Sequence, residues 1–227
     1  MSLIKYNNRS IKDLTTTPTA AGGGDTGALV HIKTLTASSS ATLSFVHGTD
    51  GVVLDSTYPI YKFEFINIHP ASDDQTFTLN FSVDSGSNYN VTKTTTAFRA
   101  YNTEQDNESG LGYLTGADMA QGTGFVELIE DTTISNENDF SLNGYLQLFN
   151  PSSTTFVKHY MSVVNSIKQD SSKDYALINY FAGYGNTTSA IDAVQFKMAS
   201  GNIDSGKIKL YGIKDSWWHY LQINLLQ

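Results

Sequence analysis

Cysteine is missing from this 227-residue chain altogether, which excludes a disulfide framework, thiolate catalysis and thiolate-bound metal, and leaves the redox compartment open. Charge is scarce as well. Asp, Glu, Lys and Arg make up 16% of the residues, below the roughly 25% of an ordinary globular domain. With 14 basic against 22 acidic residues the net charge is −8, so the composition argues against nucleic acid or an anionic membrane as partner. Proline is limited to 4 residues and tryptophan to 2. No run approaches the roughly 20 apolar residues of a helical membrane span. The opening MSLIKYNNRSIKDL lacks the continuous apolar core of a secretion signal, and the expectation is a protein made in a cytoplasm without membrane insertion.

Ser, Thr and Asn fill the place of the missing charges. These residues favour strands and turns over helices, because short polar side chains compete with helical backbone bonds and Thr is stiff at its branched carbon. Residues 191–213, IDAVQFKMASGNIDSGKIKLYGI, show the pattern best. Val194, Phe196 and Met198 alternate with Gln195 and Lys197, and beyond a turn bearing Gly201, Asn202 and Gly206 the alternation resumes with Ile208 and Leu210; the spacing predicts two strands of a hairpin. Further strands are expected over residues 28–37, 41–46, 58–70, 77–83, 111–114, 174–185 and on both sides of Asn150-Pro151-Ser152. In residues 28–37 Leu29, His31, Lys33 and Leu35 fall on one side and Val30, Ile32 and Thr34 on the other. Tyr61, Phe63 and Phe65 alternate inward, whereas Ile66 and Ile68 fall on opposite parity, which implies a bulge near Phe65 or burial on both faces. In residues 77–83, Phe77, Leu79, Phe81 and Val83 point in and Thr78, Asn80 and Ser82 out, with the SDD turn before them completing a hairpin signal. Residues 125–134 suit a strand or a helical turn equally. About ten strands without a crossover helix predict an all-β fold, an antiparallel β-sandwich of jelly-roll kind, over residues 27–214.

The flanks differ from this body. Residues 1–26 contain TTTPTAAGGG, which offers little to bury; they read as an extended N-terminal arm, with Leu3, Ile4 and Tyr6 as candidate attachment residues. Residues 215–227, DSWWHYLQINLLQ, form an apolar C-terminal tail whose Trp217, Trp218, Tyr220, Leu221, Ile223, Leu225 and Leu226 need burial, on their own sandwich or on another subunit.

No residue set points to catalysis. The five histidines show no ligand spacing; His31 and His159 can lie beside other residues of their strand faces, and a hydrogen-bonded structural role is the expected one. Acids cluster at Asp73-Asp74, Glu104-Asp106-Glu108, Glu130-Asp131 and Glu137-Asp139 without the facing pair that glycoside cleavage requires. No cofactor is expected; loop carboxylates leave calcium open as a ligand, though no loop matches a known pattern. Tyr89, Tyr101, Tyr113 and Tyr184 sit beside turns, where exposed rings can stack on sugars, so they are the candidate glycan contacts; core or interface packing is the competing role.

The segments INIHP (66–70), VTKTTTAFRAY (91–101), GYLQLFNPSSTTFVKHY (144–160) and AGYGNTTSAIDAVQFKMASGNIDSGKIKLYGI (182–213), with the start MSLIKYNNRSI, together resemble a family of virion structural proteins from marine tailed bacteriophages. The resemblance runs from Met1 to about Lys214. It implies a non-enzymatic virion component, an outer head decoration or fibre or a tail-fibre part. Its implied partners are other virion proteins and further copies of itself, a trimer being favoured. Host surface glycan is the alternative partner, through a receptor-binding role. Members of that family end near the KLYGIK element, so residues 215–227 depart from the pattern.

Overall fold

The computed structural model describes residues 28–129, 134–170 and 173–215. The N-terminal arm and all but Asp215 of the C-terminal tail lie outside the described residues, with their attachment candidates. Twelve strands run in the order β1 (Leu29–Thr36), β2 (Leu43–Val46), β3 (Ile60–Pro70), β4 (Phe77–Ser82), β5 (Lys93–Thr103), β6 (Ser109–Tyr113), β7 (Val126–Glu127), β8 (Leu142–Phe149), β9 (Lys158–Asp170), β10 (Lys173–Gly185), β11 (Ala193–Met198) and β12 (Ile203–Ile213). One 3-10 turn, Thr115–Ala117, is the only helical element among the described residues.

All strand pairs are antiparallel, in two sheets ordered β1-β12-β3-β8-β9-β10-β5-β6 and β2-β11-β4-β7. Setting aside β5, β6, β9 and β10, the remaining eight strands in chain order stack as one-eight-three-six over two-seven-four-five. That arrangement is a jelly roll of two Greek keys. The hairpins β9–β10 and β5–β6 are then an addition, extending the larger sheet by four strands beyond β8.

The two sheets meet across aromatic side chains. Phe196 of β11 stacks on Phe77 (5.7 Å, 11°) and lies edge-on or tilted to Phe45, Phe63 and Phe65 at 6.4, 5.4 and 5.2 Å. All five rings are buried, and such offset and edge-to-face pairs add to area burial. Farther along, Phe81 meets Tyr160 at 5.2 Å. The extension has a smaller core of its own, Ala97, Leu114, Ala117 and Phe181.

Several local expectations change. β11 and β12 do not pair as a hairpin: β11 lies in the smaller sheet and β12 in the larger, and residues 199–202 carry the chain between layers. The SDD turn likewise passes from β3 in one sheet to β4 in the other. The parity change after Phe65 is a bulge, with Asn67 at φ 50° and Ile68 fully buried. In β1 a register shift between His31 and Lys33 turns both Ile32 and Leu35 toward the core, against strict alternation. Val83 falls outside β4 and is 39% exposed, and Thr78, Asn80 and Ser82 are buried too, because loops cover the outer side of β4. Asn80 Nδ2, for example, donates to Tyr89 O at 2.6 Å and Thr123 O at 3.0 Å. β7 spans only two residues, and 130–133 lie outside the described residues.

Phe196→Ala removes the ring common to both sheets and is expected to destabilise the fold by about 3–5 kcal/mol, measured as the shift in free energy of urea unfolding.

Candidate functional site

Among the described residues the edge strand β1 pairs only with β12, and its first pairs are Leu29 with Ile213 and Val30 with Gly212. The backbone N of Lys214 donates to Ala28 O at 2.8 Å. The sandwich therefore hands over to both terminal segments at one point, at the end of one strand pair.

A second feature is the outer face of the added strands. Register places Tyr113, Phe98, Tyr180, Val163 and Tyr145 in one row across β6, β5, β10, β9 and β8. Phe98 and Tyr180 stack in parallel at 4.8 Å. Exposure on this face reaches 76% for Leu111, 59% for Tyr113 and 51% for Met161. Nearer the end of the strands a hollow of about 370 Å³ is lined by Thr94, Thr96, Phe149, His159, Met161 and Tyr184. Small residues there, Ala182 opposite Met161 and Thr96, leave the room that the rings enclose.

Of the four tyrosines expected to contact glycan, only Tyr113 and Tyr184 share this face. Tyr113 donates its hydroxyl to Asp118 Oδ2 at 2.5 Å, and Tyr184 lies beside His159 at 6.0 Å. Tyr101 is on the opposite face of β5, half-buried against Tyr175 (5.8 Å) and under the Arg99 guanidinium (5.6 Å). Tyr89 belongs to the loop after β4, its backbone carbonyl tied to Asn80. His31 and His159 lie on separate strands, with β12, β3 and β8 between β1 and β9. His31 instead meets Tyr211 edge-on at 5.4 Å and Thr34 Oγ1 at 2.8 Å.

The acids serve loops. The Thr57 side chain and backbone hold Asp55 below the usual carboxylate range, Ser135 and the Asn136 backbone do so for Asp73, and Asn88 and Ser82 for Asp84. Among the described residues no three His, Asp or Glu side chains gather as a metal site.

Two buried lysines were not anticipated. Lys93 and Lys158 lie in one row on either side of Gly185, and both are fully buried. Lys93 Nζ donates to Asn80 Oδ1 at 2.5 Å and Val91 O at 2.6 Å. Lys158 Nζ donates to Ser153 O at 2.5 Å, Phe156 O at 2.7 Å and Thr187 O at 3.4 Å. Each ties a loop to the sheet through carbonyl groups, and burial lowers the pKa of both, that of Lys93 to about 8. The inward alternation Lys93, Thr95, Ala97 was the available signal, and a lysine heading it argued for the surface.

No family model, curated protein or solved structure matches the chain.

The Lys93 pKa gives a test of its burial. Folded Lys93 loses its proton near pH 8, unfolded Lys93 near 10.5. Between these values the unfolded chain holds more protons, so stability rises with pH; Tyr61, raised by burial to about 12, opposes this only above about pH 10. Unfolding free energy is expected to gain about 2 kcal/mol from Lys93 between pH 7 and 9.5, a gain that Lys93→Met abolishes in urea titrations at both pH values.

Proposed function

We propose that this chain is a non-enzymatic structural protein of a bacteriophage virion, an outer head decoration or fibre or a tail-fibre component, displaying its sandwich from the particle and assembling with other virion proteins and with copies of itself. The observation that carries the reading is the shared exit of both terminal segments at Ala28 and Lys214. A single pole of attachment lets an arm and an apolar tail grip one neighbour while the rest of the sandwich faces outward. Two further features support it: the segment resemblance described above, and the jelly roll, an architecture that viral capsid proteins share with lectins and other domains. The deciding experiment deletes residues 1–26 or 216–227 and measures incorporation into particles by immunolabelled electron microscopy. Incorporation is expected to fall at least tenfold for one or both deletions while circular dichroism of the isolated protein is unchanged. Wild-type incorporation by both would overturn the reading.

A second reading, recognition of host surface glycan, is favoured by the hollow lined by Tyr184, His159 and Phe149 together with Thr94 and Thr96, since aromatic rings present apolar faces on which sugars stack. On a glycan array this reading expects binding that Tyr184→Ala removes; absence of binding by the wild-type chain would exclude it.

A further inference from the structure

The outer face of the larger sheet is divided in a way that its composition conceals. On β8, β9, β10, β5 and β6 no outward position over residues 143–149, 159–167, 176–184, 94–102 or 109–113 is Asp, Glu, Lys or Arg. On the adjoining strands β3 and β12 the outward positions include four charged residues: Lys62 and Glu64, paired at 2.8 Å, and Lys207 and Lys209. At the opposite edge the β5–β6 loop bears Glu104 and Asp106. An uncharged, aromatic field is thus bordered by charged residues.

We infer that this field is a self-association surface, on which a second copy of the chain packs face to face about a two-fold axis. The inference deepens the assembly reading above and rests on it for its biological setting. Three observations select the occupant. The first is area. Five strands about 4.8 Å apart with about nine residues at 3.3 Å rise cover roughly 600 Å², close to the ~800 Å² that each partner contributes to a specific interface.

The second is charge. A chain of net charge −8 repels its own copies over most approaches, and this field is where two copies meet without opposing like charges. In the order β3-β8-β9-β10-β5-β6, a two-fold axis parallel to the strands between β9 and β10 lays β5 and β6 of one copy over β8 and β3 of the other. The uncharged rows of β5, β10, β9 and β8 then face one another, and the symmetry makes the same match twice.

The third is shape. The Tyr113, Phe98, Tyr180, Val163, Tyr145 row crosses the centre of the field, so the operation brings the row onto itself, and sheets stacked at about 10 Å interdigitate such side chains. A flat face matched to itself makes an isologous pair, whereas a three-fold ring needs two different faces. The sugar-stacking role of Tyr184 concerns the end of the field and is separable from this.

Sedimentation equilibrium on the full chain tests the inference, with Leu111→Lys and Met161→Lys as variants at exposed positions where the fold tolerates a charge. The wild type is expected to show a reversible monomer–dimer equilibrium, and each variant to weaken dimerisation at least tenfold with an unchanged melting temperature. A wild type that stays monomeric at all concentrations, forms a trimer, or dimerises equally well in both variants overturns the inference. None of these results bears on the truncation experiment, so the two readings fail separately.

Discussion

The contact on which this fold depends is the ring of Phe196 inserted between two sheets. Phe45, Phe77 and Phe196 come from three strands of the small sheet and Phe63 and Phe65 from one strand of the large one. Without them the layers would share few large apolar groups at that end. The other features are arranged around this contact. The jelly-roll strand order brings β11 between β2 and β4 and so aims Phe196 at β3. The bulge at Asn67 lets β3 present Phe65 and then Ile68 to the same interior. Gly144, at φ 149°, has no room for a side chain against the Val163 carbonyl, and its absence of a Cβ lets β8 and β9 run close where the added strands begin.

The layered β character was legible in the residues because alternation is a local property. Phe77, Leu79 and Phe81, or Val194, Phe196 and Met198, announce an inward face without reference to anything distant. What alternation cannot carry is partnership. β11 and β12 look like a hairpin because four residues with glycine connect them, yet they belong to different layers; a short loop joins two sheets as readily as two strands of one sheet. β5 escaped notice for a related reason. Its run of threonines, with Lys93 buried at its head, has little hydrophobic contrast, and pairing with β10 and β6 on its two sides makes it an interior strand. The candidate tyrosines illustrate the same limit, for nearness to a turn does not say which side of a strand a ring occupies: Tyr101 and Tyr113 lie on opposite faces.

Charge is distributed by face rather than by segment. Lysines alternate with apolar residues in β12, and acids are spread over loops and strands, so the linear sequence shows no neutral block. Register alone aligns the uncharged positions of five strands. The two buried lysines run counter to this economy. Each is held by carbonyl or carboxamide oxygen rather than by an acid, a costly arrangement for a cation, and burial lowers the pKa of both. Their role is local: each fastens a loop across the end of the sheet.

The adjacency of Ala28 and Lys214 also has a mechanical meaning. β1 and β12 run antiparallel from this point, so a force separating the two terminal segments would peel the edge strand β1 from β12 one hydrogen bond at a time, at low load. A force pulling both segments together against the body of the domain would be shared by the paired strands and would leave the aromatic centre unstrained. The geometry suits a domain moored at one corner and pulled from that corner, and it is ill suited to a link that bears tension along a chain of such domains.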